Sequence, residues 1–598
     1  MTTKKTEAKP AVRRHEPTAP VRPKTDRLRV LVADHLSEDG ITLLKSEPGL
    51  EVDVKTGLSP TELAEIIGAY EGLVVRSSTK VTAEVIAKAN RLKVIGRAGV
   101  GLDNVDADAA TKRGIIVMNV PSGNTISTAE YTMSMILALS RRIPQAYASL
   151  RGGAWERSKF VGTELFGKTL GIIGLGKIGT EVAKRAQAFG MRIIAHDPFL
   201  SSERSQQLEI QLTDANTLYA EADVITVHTP LTVETRHLIG AAEIASMKKG
   251  VRLVNCARGG IIDEAALHQA IVSGHVAGAA LDVFEEEPPK KDHPLLQLEQ
   301  VVAVPHLGAS TQEAQLNVAI EVAKQVADAL LGRGIRNAVN MPSVDAKTLQ
   351  VLQPYILLAE RLGSLAAQLS GGKIAEIRVT FVGEVTHHDT SPVTLAVLKG
   401  VLSPMVGENV NYVNAALIAA ERGIRVVEAK ASRMDEFANL IALEVRGGSA
   451  SLSLPPAPPA NRVAEDGPGS ERSESPPLGF AKRSHGDESR DDGETLTLQG
   501  TLSARREPRI VKIDRYFVEV ALDGYLLILK NEDKPGLIGQ LGTLLGESTI
   551  NIAGMSNGRD KPGGTAITVV SIDNDVPPKV LEQVKKLKHI LDAKLIKL

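Results

Sequence analysis

Six residues, Gly174-Leu-Gly-Lys-Ile-Gly179, constrain the fold of this chain more than any other stretch. They follow the apolar run Thr169-Leu-Gly-Ile-Ile173 and precede Val182, Ala183, Ala186 and Phe189, which recur with helical spacing. The pattern predicts a strand, a tight glycine turn and a helix. Gly174, Gly176 and Gly179 leave bare backbone where a strand hands over to a helix N-terminus. A pyrophosphate can approach there, toward free N–H groups at the positive end of the helix dipole. A second apolar run, Arg192-Ile-Ile-Ala-His196, ends at Asp197, and an acid about 20 residues past the turn can bond ribose hydroxyls. Pro198-Phe199-Leu200 supplies no arginine for a 2′-phosphate, so NAD is favoured over NADP. A lone glycine fingerprint is weak in a chain with 52 glycines. The strand, helix and acid around it make the nucleotide reading.

Apolar, strand-like runs alternate with helical stretches upstream and downstream of this turn. Leu28-Arg-Val-Leu-Val-Ala, Gly72-Leu-Val-Val-Arg, Leu92-Lys-Val-Ile-Gly and Gly114-Ile-Ile-Val-Met are separated by helical patterns such as 61–69 and 83–90. After a long helix over 125–142 come the turn and strands at Asp223-Val-Ile-Thr-Val-His, Val251-Arg-Leu-Val-Asn, Gly278-Ala-Ala-Leu-Asp-Val and Gln300-Val-Val-Ala-Val-Pro. Such alternation signals parallel α/β architecture. A last helix, 313–331, is expected to return to the first lobe. That gives a discontinuous substrate-binding domain, 28–122 with 307–339, around an NAD-binding domain of 123–306. The cleft between two such lobes is a usual place for a site.

From 340 to 523 the pattern becomes mixed α+β, interrupted at about 447–490 by a stretch dense in Ser, Pro, Gly, Arg, Asp and Glu. Few apolar residues there could repay the entropy of ordering, so a disordered insertion is expected. Residues 524–598 read as strand, helix, strand, strand, helix, strand, the ferredoxin-like order.

Composition narrows the classes of function. A chain of 598 residues should hold three or four domains. Its net charge of −1 gives no reason to expect nucleic acid or membrane partners. No apolar run approaches the roughly 18 residues that suggest a membrane span. The single cysteine, Cys256, excludes an internal disulfide and fits a reducing compartment, so a cytoplasmic location is expected. Residues 1–27 are rich in Lys, Arg, Pro and Thr without an apolar core, which reads as a disordered basic tail rather than a secretory signal. Glu7, Glu16 and Asp26 make an organelle transit peptide the weaker alternative.

Chemistry enters with three settings: Arg258 in Asn255-Cys-Ala-Arg-Gly-Gly, Glu287 in Asp282-Val-Phe-Glu-Glu-Glu-Pro, and His306 in Val304-Pro-His-Leu-Gly. Arginine can hold a carboxylate by two parallel hydrogen bonds, and histidine can carry one proton near neutrality. A glutamate can orient that histidine and raise its pKa. Beside a hydride acceptor, these parts suffice to oxidise an alcohol next to a carboxylate. No metal is expected.

These residues, with Arg76-Ser-Ser-Thr-Lys-Val, Gly96-Arg-Ala-Gly-Val-Gly-Leu-Asp-Asn-Val and Pro305-His-Leu-Gly-Ala-Ser-Thr, carry a resemblance. The chain resembles the long-form phosphoglycerate dehydrogenases, a branch of the D-2-hydroxyacid dehydrogenases, over about 28–598 apart from the insertion. The resemblance implies a flavodoxin-like substrate lobe, a Rossmann NAD lobe, an intervening domain over 340–523 and an ACT regulatory domain over 524–598. It further implies oxidation of D-3-phosphoglycerate with NAD at the entry to serine biosynthesis, in a homotetramer.

Residue by residue, the resemblance makes His306 the acid/base, Glu287 its orienting partner and Arg258 the substrate anchor. Glu285 and Glu286 also adjoin, but the residue directly before Pro288 is the one that matches. Val100, Gly101 and Asn104 correspond to a carboxylate and phosphate cradle, and Arg76 is the candidate for the substrate phosphate. Cofactor contacts are expected from Thr79, Gly174, Gly176, Lys177, Ile178, Gly179, Asp197, Thr229, Cys256, Asp282, Gly308 and Ala309. In serine-inhibited relatives, positions matching Asn531, Asp533 and Asn551 bind the amino acid across a dimer interface, so L-serine is a candidate inhibitor. Two other readings stand beside this one: a dehydrogenase or 2-oxoglutarate reductase acting on another 2-hydroxy acid, and an NAD-sensing corepressor. Some 260 residues beyond the catalytic core argue against the first. The ACT-like end and the lack of an obvious peptide-docking segment argue against the second.

Overall fold

The computed structural model describes residues 27–371, 374–407, 409–432, 437–447 and 495–598. The basic tail and the insertion expected from the sequence lie outside them, save Arg27 and Gly447.

The first lobe is a parallel sheet of β1 (Leu28–Val32), β2 (Leu50–Val54), β3 (Gly72–Val75), β4 (Val94–Arg97) and β5 (Ile116–Met118). Its order, β2-β1-β3-β4-β5, is the flavodoxin-like one. Helices cover both faces, and β3 is buried at every residue, as expected of a strand inside a parallel sheet. The helix Gln312–Leu330 lays Val318, Val322 and Val326 on this sheet, in one core with Val30, Val32 and Val94. Its approach is close enough to require Gly96, where a Cβ would lie 2.4 Å from Val326.

The second lobe is a parallel sheet of β6 (Thr169–Ile173), β7 (Arg192–His196), β8 (Gln211–Leu212), β9 (Val224–Val227), β10 (Val251–Asn255), β11 (Val276–Leu281) and β12 (Val301–Ala303). The order β12-β11-β10-β9-β6-β7-β8 is the doubly wound Rossmann order extended by one strand. It reverses between β6 and β9, and ligands of such sheets bind outside the strand ends at that point. The helix Thr125–Arg141 buries Ala129, Met133, Ile136 and Leu139 at helical spacing against this sheet. It stops at Arg142, whose left-handed φ of 53° closes the last turn. Both parallel sheets agree with the alternation read from the sequence.

The third sheet contains β13 (Glu376–Val382), β14 (Arg425–Ala431), β15 (Leu440–Arg446), β16 (Thr495–Leu502), β17 (Pro508–Ile513) and β18 (Tyr516–Ala521), in the order β14-β13-β15-β16-β17-β18. Only β13 and β14 run parallel. The helices Ala346–Ser370 and Ser391–Val406 meet so closely that a Cβ on Gly400 would lie 2.0 Å from the Glu360 carbonyl. Side-chain amides seat this unit on the edge of the first lobe. Asn340 bonds Val117 N and Ile115 O at 3.0 and 2.8 Å. Asn411 donates to Gly114 O at 2.8 Å.

The last sheet has β19 (Tyr525–Glu532), β20 (Ile552–Arg559), β21 (Thr565–Ile572) and β22 (Ile590–Lys597), in the order β20-β21-β19-β22 and antiparallel throughout. With helices Leu537–Glu547 and Pro578–Lys585 it is ferredoxin-like, in agreement with the sequence. Its helix-free face is not solvated. Leu526, Ile528, Ile567, Val569 and Ile596 belong to the same core as Leu358, Leu362 and Leu365 of the helix Ala346–Ser370.

Candidate active site

A cleft of about 880 Å³ opens between the first two lobes, at the C-terminal ends of their strands. The NAD-lobe wall includes Arg258, Glu287 and His306, and the facing wall includes Arg76, Arg97 and Gly101.

His306 sits just past β12 with φ of 53°, its backbone N–H donating to Asp282 O at 2.9 Å. The turn is pinned again by the Asp282 carboxylate, which accepts from Leu307 N at 2.6 Å and Gly308 N at 2.9 Å. Asp282 is buried at the end of β11, and that burial pushes its carboxyl up against the effect of those two donors. His306 Nδ1 lies 2.8 Å from Glu287 Oε2, while Glu287 Oε1 accepts from Phe284 N at 3.2 Å. The hydrogen bond from Glu287 raises the His306 pKa, overcoming partial burial. Burial opposes ionisation of Glu287, yet the bond and charge of His306 hold its carboxyl below the usual range. Nε2, the other ring nitrogen, makes no hydrogen bond among the described residues and is left for a reacting proton.

Arg258 leaves the end of β10 and crosses the cleft. Its Nη1 donates to Ala257 O at 2.6 Å and its Nε to Asp103 Oδ2, on the other lobe, at 3.1 Å. Nη2 rests against Gly101, where a Cβ would come within 2.0 Å of it. Arg76 donates through Nη1 to His35 O at 3.1 Å. Arg97, which the sequence reading did not single out, is largely buried beside these two. Its guanidinium donates to no described residue, and its Nε is buried without a partner. Burial first, then the charge of Arg258, lowers its pKa to about 10. A cation so placed calls for an anion.

Other expected contacts divide. Val100, Asn104 and Ala309 line the cleft. The Asn104 amide is already engaged, donating to Arg76 O and Thr79 O at 2.6 Å each. Thr79 is not among the residues that line the cleft, though its neighbours Ser78 and Lys80 are. It is buried in the first lobe, where its hydroxyl donates to Ala33 O at 3.1 Å and its N–H to Asp34 at 3.1 Å. Cys256 is buried in the NAD-lobe core, and burial pushes its thiol up to about 12, so it packs rather than reacts.

The glycine turn fits a dinucleotide. Gly174 has φ of 91°, and a Cβ on Gly179 would strike Gly174 O at 2.1 Å. A Cβ on Gly176 would meet nothing within 4 Å, leaving open space at the N-terminus of the helix Lys177–Ala188. Asp197 accepts from Leu175 N at 2.7 Å and Phe199 N at 2.9 Å, which ties it to the turn. Thr229 carries a buried hydroxyl with no partner among the described residues. Lys177 of the turn donates to Ser122, on the segment entering the NAD lobe, and Ile178 packs on the lobe's core.

The three residues expected to hold an effector are not brought together within one chain. Asp533 pairs with Arg559 at 3.1 Å and accepts from Gly563 N at 3.0 Å. Asn531 is buried, accepting from Thr568 at 2.9 Å. Asn551 bonds Asp573 at 2.6 Å, beyond the opposite end of the β20–β21 ladder. Among the described residues no group of three or more His, Cys, Asp or Glu is arranged to hold a metal, and no helix is long and apolar enough to cross a membrane.

Two parallel lobes closing on an Arg–Glu–His cleft define the D-2-hydroxyacid dehydrogenase class, and the family model for the D-isomer specific 2-hydroxyacid dehydrogenase NAD binding domain matches residues 133–308. Models for the D-3-phosphoglycerate dehydrogenase intervening domain and the ACT domain match 351–455 and 525–589. A D-3-phosphoglycerate dehydrogenase of Archaeoglobus fulgidus is 45% identical over 573 residues, covering 96% of this chain and 100% of the relative. Relatives of the same name from Methanocaldococcus jannaschii and Synechocystis sp. are 44% and 42% identical, covering 96% and 95% of this chain and 100% and 95% of themselves. The chain belongs to the D-3-phosphoglycerate dehydrogenase family.

Proposed function

We propose that the chain oxidises D-3-phosphoglycerate at C2 to 3-phosphohydroxypyruvate with NAD, the entry reaction of L-serine biosynthesis. The observation that carries this is the 2.8 Å His306–Glu287 pair opposite three arginines, Arg258, Arg97 and Arg76, of which Arg97 has no hydrogen-bond partner among the described residues. The substrate brings one carboxylate and one phosphate. Arg258 holds the carboxylate beside the C2 oxygen, and Arg76 with Arg97 takes the phosphate. D-lactate, with a single anion, would leave the half-buried Arg97 unmatched.

His306 Nε2 removes the C2 hydroxyl proton, and Glu287 across the ring stabilises the imidazolium. Arg258 polarises the C2 oxygen as it becomes a carbonyl. In the reverse direction protonated His306 donates to the ketone. NAD supplies the acceptor for the C2 hydride, held by the Gly174–Gly179 turn, Asp197 and Thr229.

We read the assembly as a homo-oligomer, a tetramer by resemblance. The helix Ile143–Arg151 buries no residue, and Ile143, Tyr147, Leu150, Trp155, Val161 and Phe166 are all exposed, which suits a second copy. L-serine is read as an inhibitor at the last domain, with Asn531 and Asp533 of one copy and Asn551 of another. The single buried thiol supports a cytoplasmic location.

The test is a set of initial rates with D-3-phosphoglycerate, D-lactate and D-2-hydroxyglutarate under NAD+ and NADP+, with and without L-serine. D-3-phosphoglycerate with NAD+ should give the highest kcat/KM. A higher value for either other acid would overturn the substrate assignment. Serine that changed neither rate nor thermal stability would remove the regulatory one.

A further inference from the structure

Among the described residues, Arg258–Asp103 is the only ion pair that joins the two lobes across the cleft. Asp103 stands on the loop after β4, its side chain 64% exposed, while Arg258 is 24% exposed. A pair that open would count for little as a source of stability. Its geometry gives it another use.

A guanidinium carries five N–H donors and can meet a carboxylate side-on, through Nε and Nη2, or end-on, through Nη1 and Nη2. Here Nε is taken by Asp103 Oδ2 at 3.1 Å, and one Nη1 donor by Ala257 O at 2.6 Å. The side-on fork is therefore closed. One Nη1 and two Nη2 donors remain, so the end-on fork is open. Gly101, on the same loop as Asp103, receives Nη2 at a distance that no side chain would allow. Asp103 also raises the pKa of Arg97 against the neighbouring arginines, so its charge moderates a crowded cationic wall.

We infer that Asp103 is a positioning residue for Arg258, selecting the fork offered to the substrate carboxylate and making that orientation depend on the two lobes standing together. The inference rests on the reading of Arg258 as the substrate anchor. When the lobes part, Arg258 loses its Nε partner and its long side chain regains rotamer freedom. When they meet, the end-on fork is restored beside His306. Asp103 touches neither the reacting carbon nor the cofactor turn. Its loss should leave cofactor binding alone and act on substrate capture.

The experiment measures steady-state kinetics and NADH affinity of the full chain for Asp103→Ala, Asp103→Asn, Arg258→Ala, Arg258→Lys and the Asp103→Ala/Arg258→Lys double variant. Asp103→Ala should raise KM for D-3-phosphoglycerate by tenfold or more with NADH affinity unchanged. Asp103→Asn, whose amide oxygen still accepts from Nε, should recover part of that loss. It also serves as the second probe, because it alters neither shape nor packing. In the Arg258→Lys background, which has no Nε–H to orient, removing Asp103 should change KM by less than twofold.

An equal effect of Asp103→Ala in both backgrounds would overturn the inference, as would a fall in KM, which would mean that Asp103 only repels the substrate. A normal kcat/KM in Arg258→Ala would instead overturn the anchor reading beneath it, so the two failures are separable.

Discussion

Glu287 and His306 share a proton site in which each ring or carboxylate atom has a separate duty. Nδ1 meets Oε2 at 2.8 Å, Oε1 is spent on Phe284 N, and Nε2 is left to the cleft. Oxidation needs the neutral imidazole, so the rate should rise with pH through the raised His306 pKa. Replacing Glu287 by Gln removes the largest cause of that rise. The acidic limb of kcat/KM for oxidation should therefore move to lower pH in Glu287→Gln, with a lower plateau. A pH–rate profile reads both, and a limb that stayed in place would detach Glu287 from the histidine.

His306→Ala should cut kcat by about 10²–10⁴-fold, the usual range for a lost general base. NADH affinity, followed by its fluorescence, should be unchanged, because the ring makes no contact with the glycine turn.

Gly101→Ala tests the closeness of Arg258. The new methyl would fall 2.0 Å from Arg258 Nη2 and 2.6 Å from Asp103 Oδ2, both at the ends of side chains, so the Arg258–Asp103 pair must shift. A charged hydrogen-bonded contact contributes about 1.5–3 kcal/mol, so kcat/KM should drop about 10- to 100-fold at nearly unchanged Tm.

Gly259→Ala should behave differently. Its Cβ would lie 1.8 Å from the Phe284 carbonyl, backbone against backbone. The Arg258 and Glu287 loops would be forced apart, so Tm and kcat should fall together, as calorimetry and initial rates would report. Activity lost without any change in Tm would contradict this packing.

Much of this was legible in the chain. The glycine turn needs only a strand, three bare residues and an acid, all local features. Long apolar runs such as Val224–Val227 announce strands buried on both faces. The edge strand Leu50–Val54 gave no such signal, because Glu51 and Asp53 interrupt it and only Leu50 is buried. Gln211–Leu212 is too short for any period to show. Arg97 escaped notice for a different reason. Nothing in Gly96-Arg-Ala-Gly says that its Nε will be buried without a partner among the described residues, since that depends on Arg76, Arg258 and Asp103 arriving from elsewhere. Thr79 shows a related limit: a threonine in a loop can face a ligand or its own lobe, and here its hydroxyl donates to Ala33 O.

The exposed helix Ile143–Arg151 offers a check on assembly. Burying side chains of this kind contributes about 1.5–3 kcal/mol each. Tyr147→Glu with Leu150→Glu should therefore lower the mass seen by multi-angle light scattering. An unchanged mass would move the interface elsewhere.

The core that runs from the helix Ala346–Ser370 into the last sheet bears on how this chain can be cut and recombined. Gln368 sets its side-chain amide against the Lys597 backbone in both directions, at 2.8 and 3.1 Å, and Arg361 grips Leu522 and Asp523 at the junction. Residues 525–598 released on their own would present Leu526, Ile528, Val569 and Ile596 to water as one greasy plate. Such a fragment would be a poor exchangeable module. A working transplant between relatives would have to begin upstream, before Ala346, and carry the long helix with it.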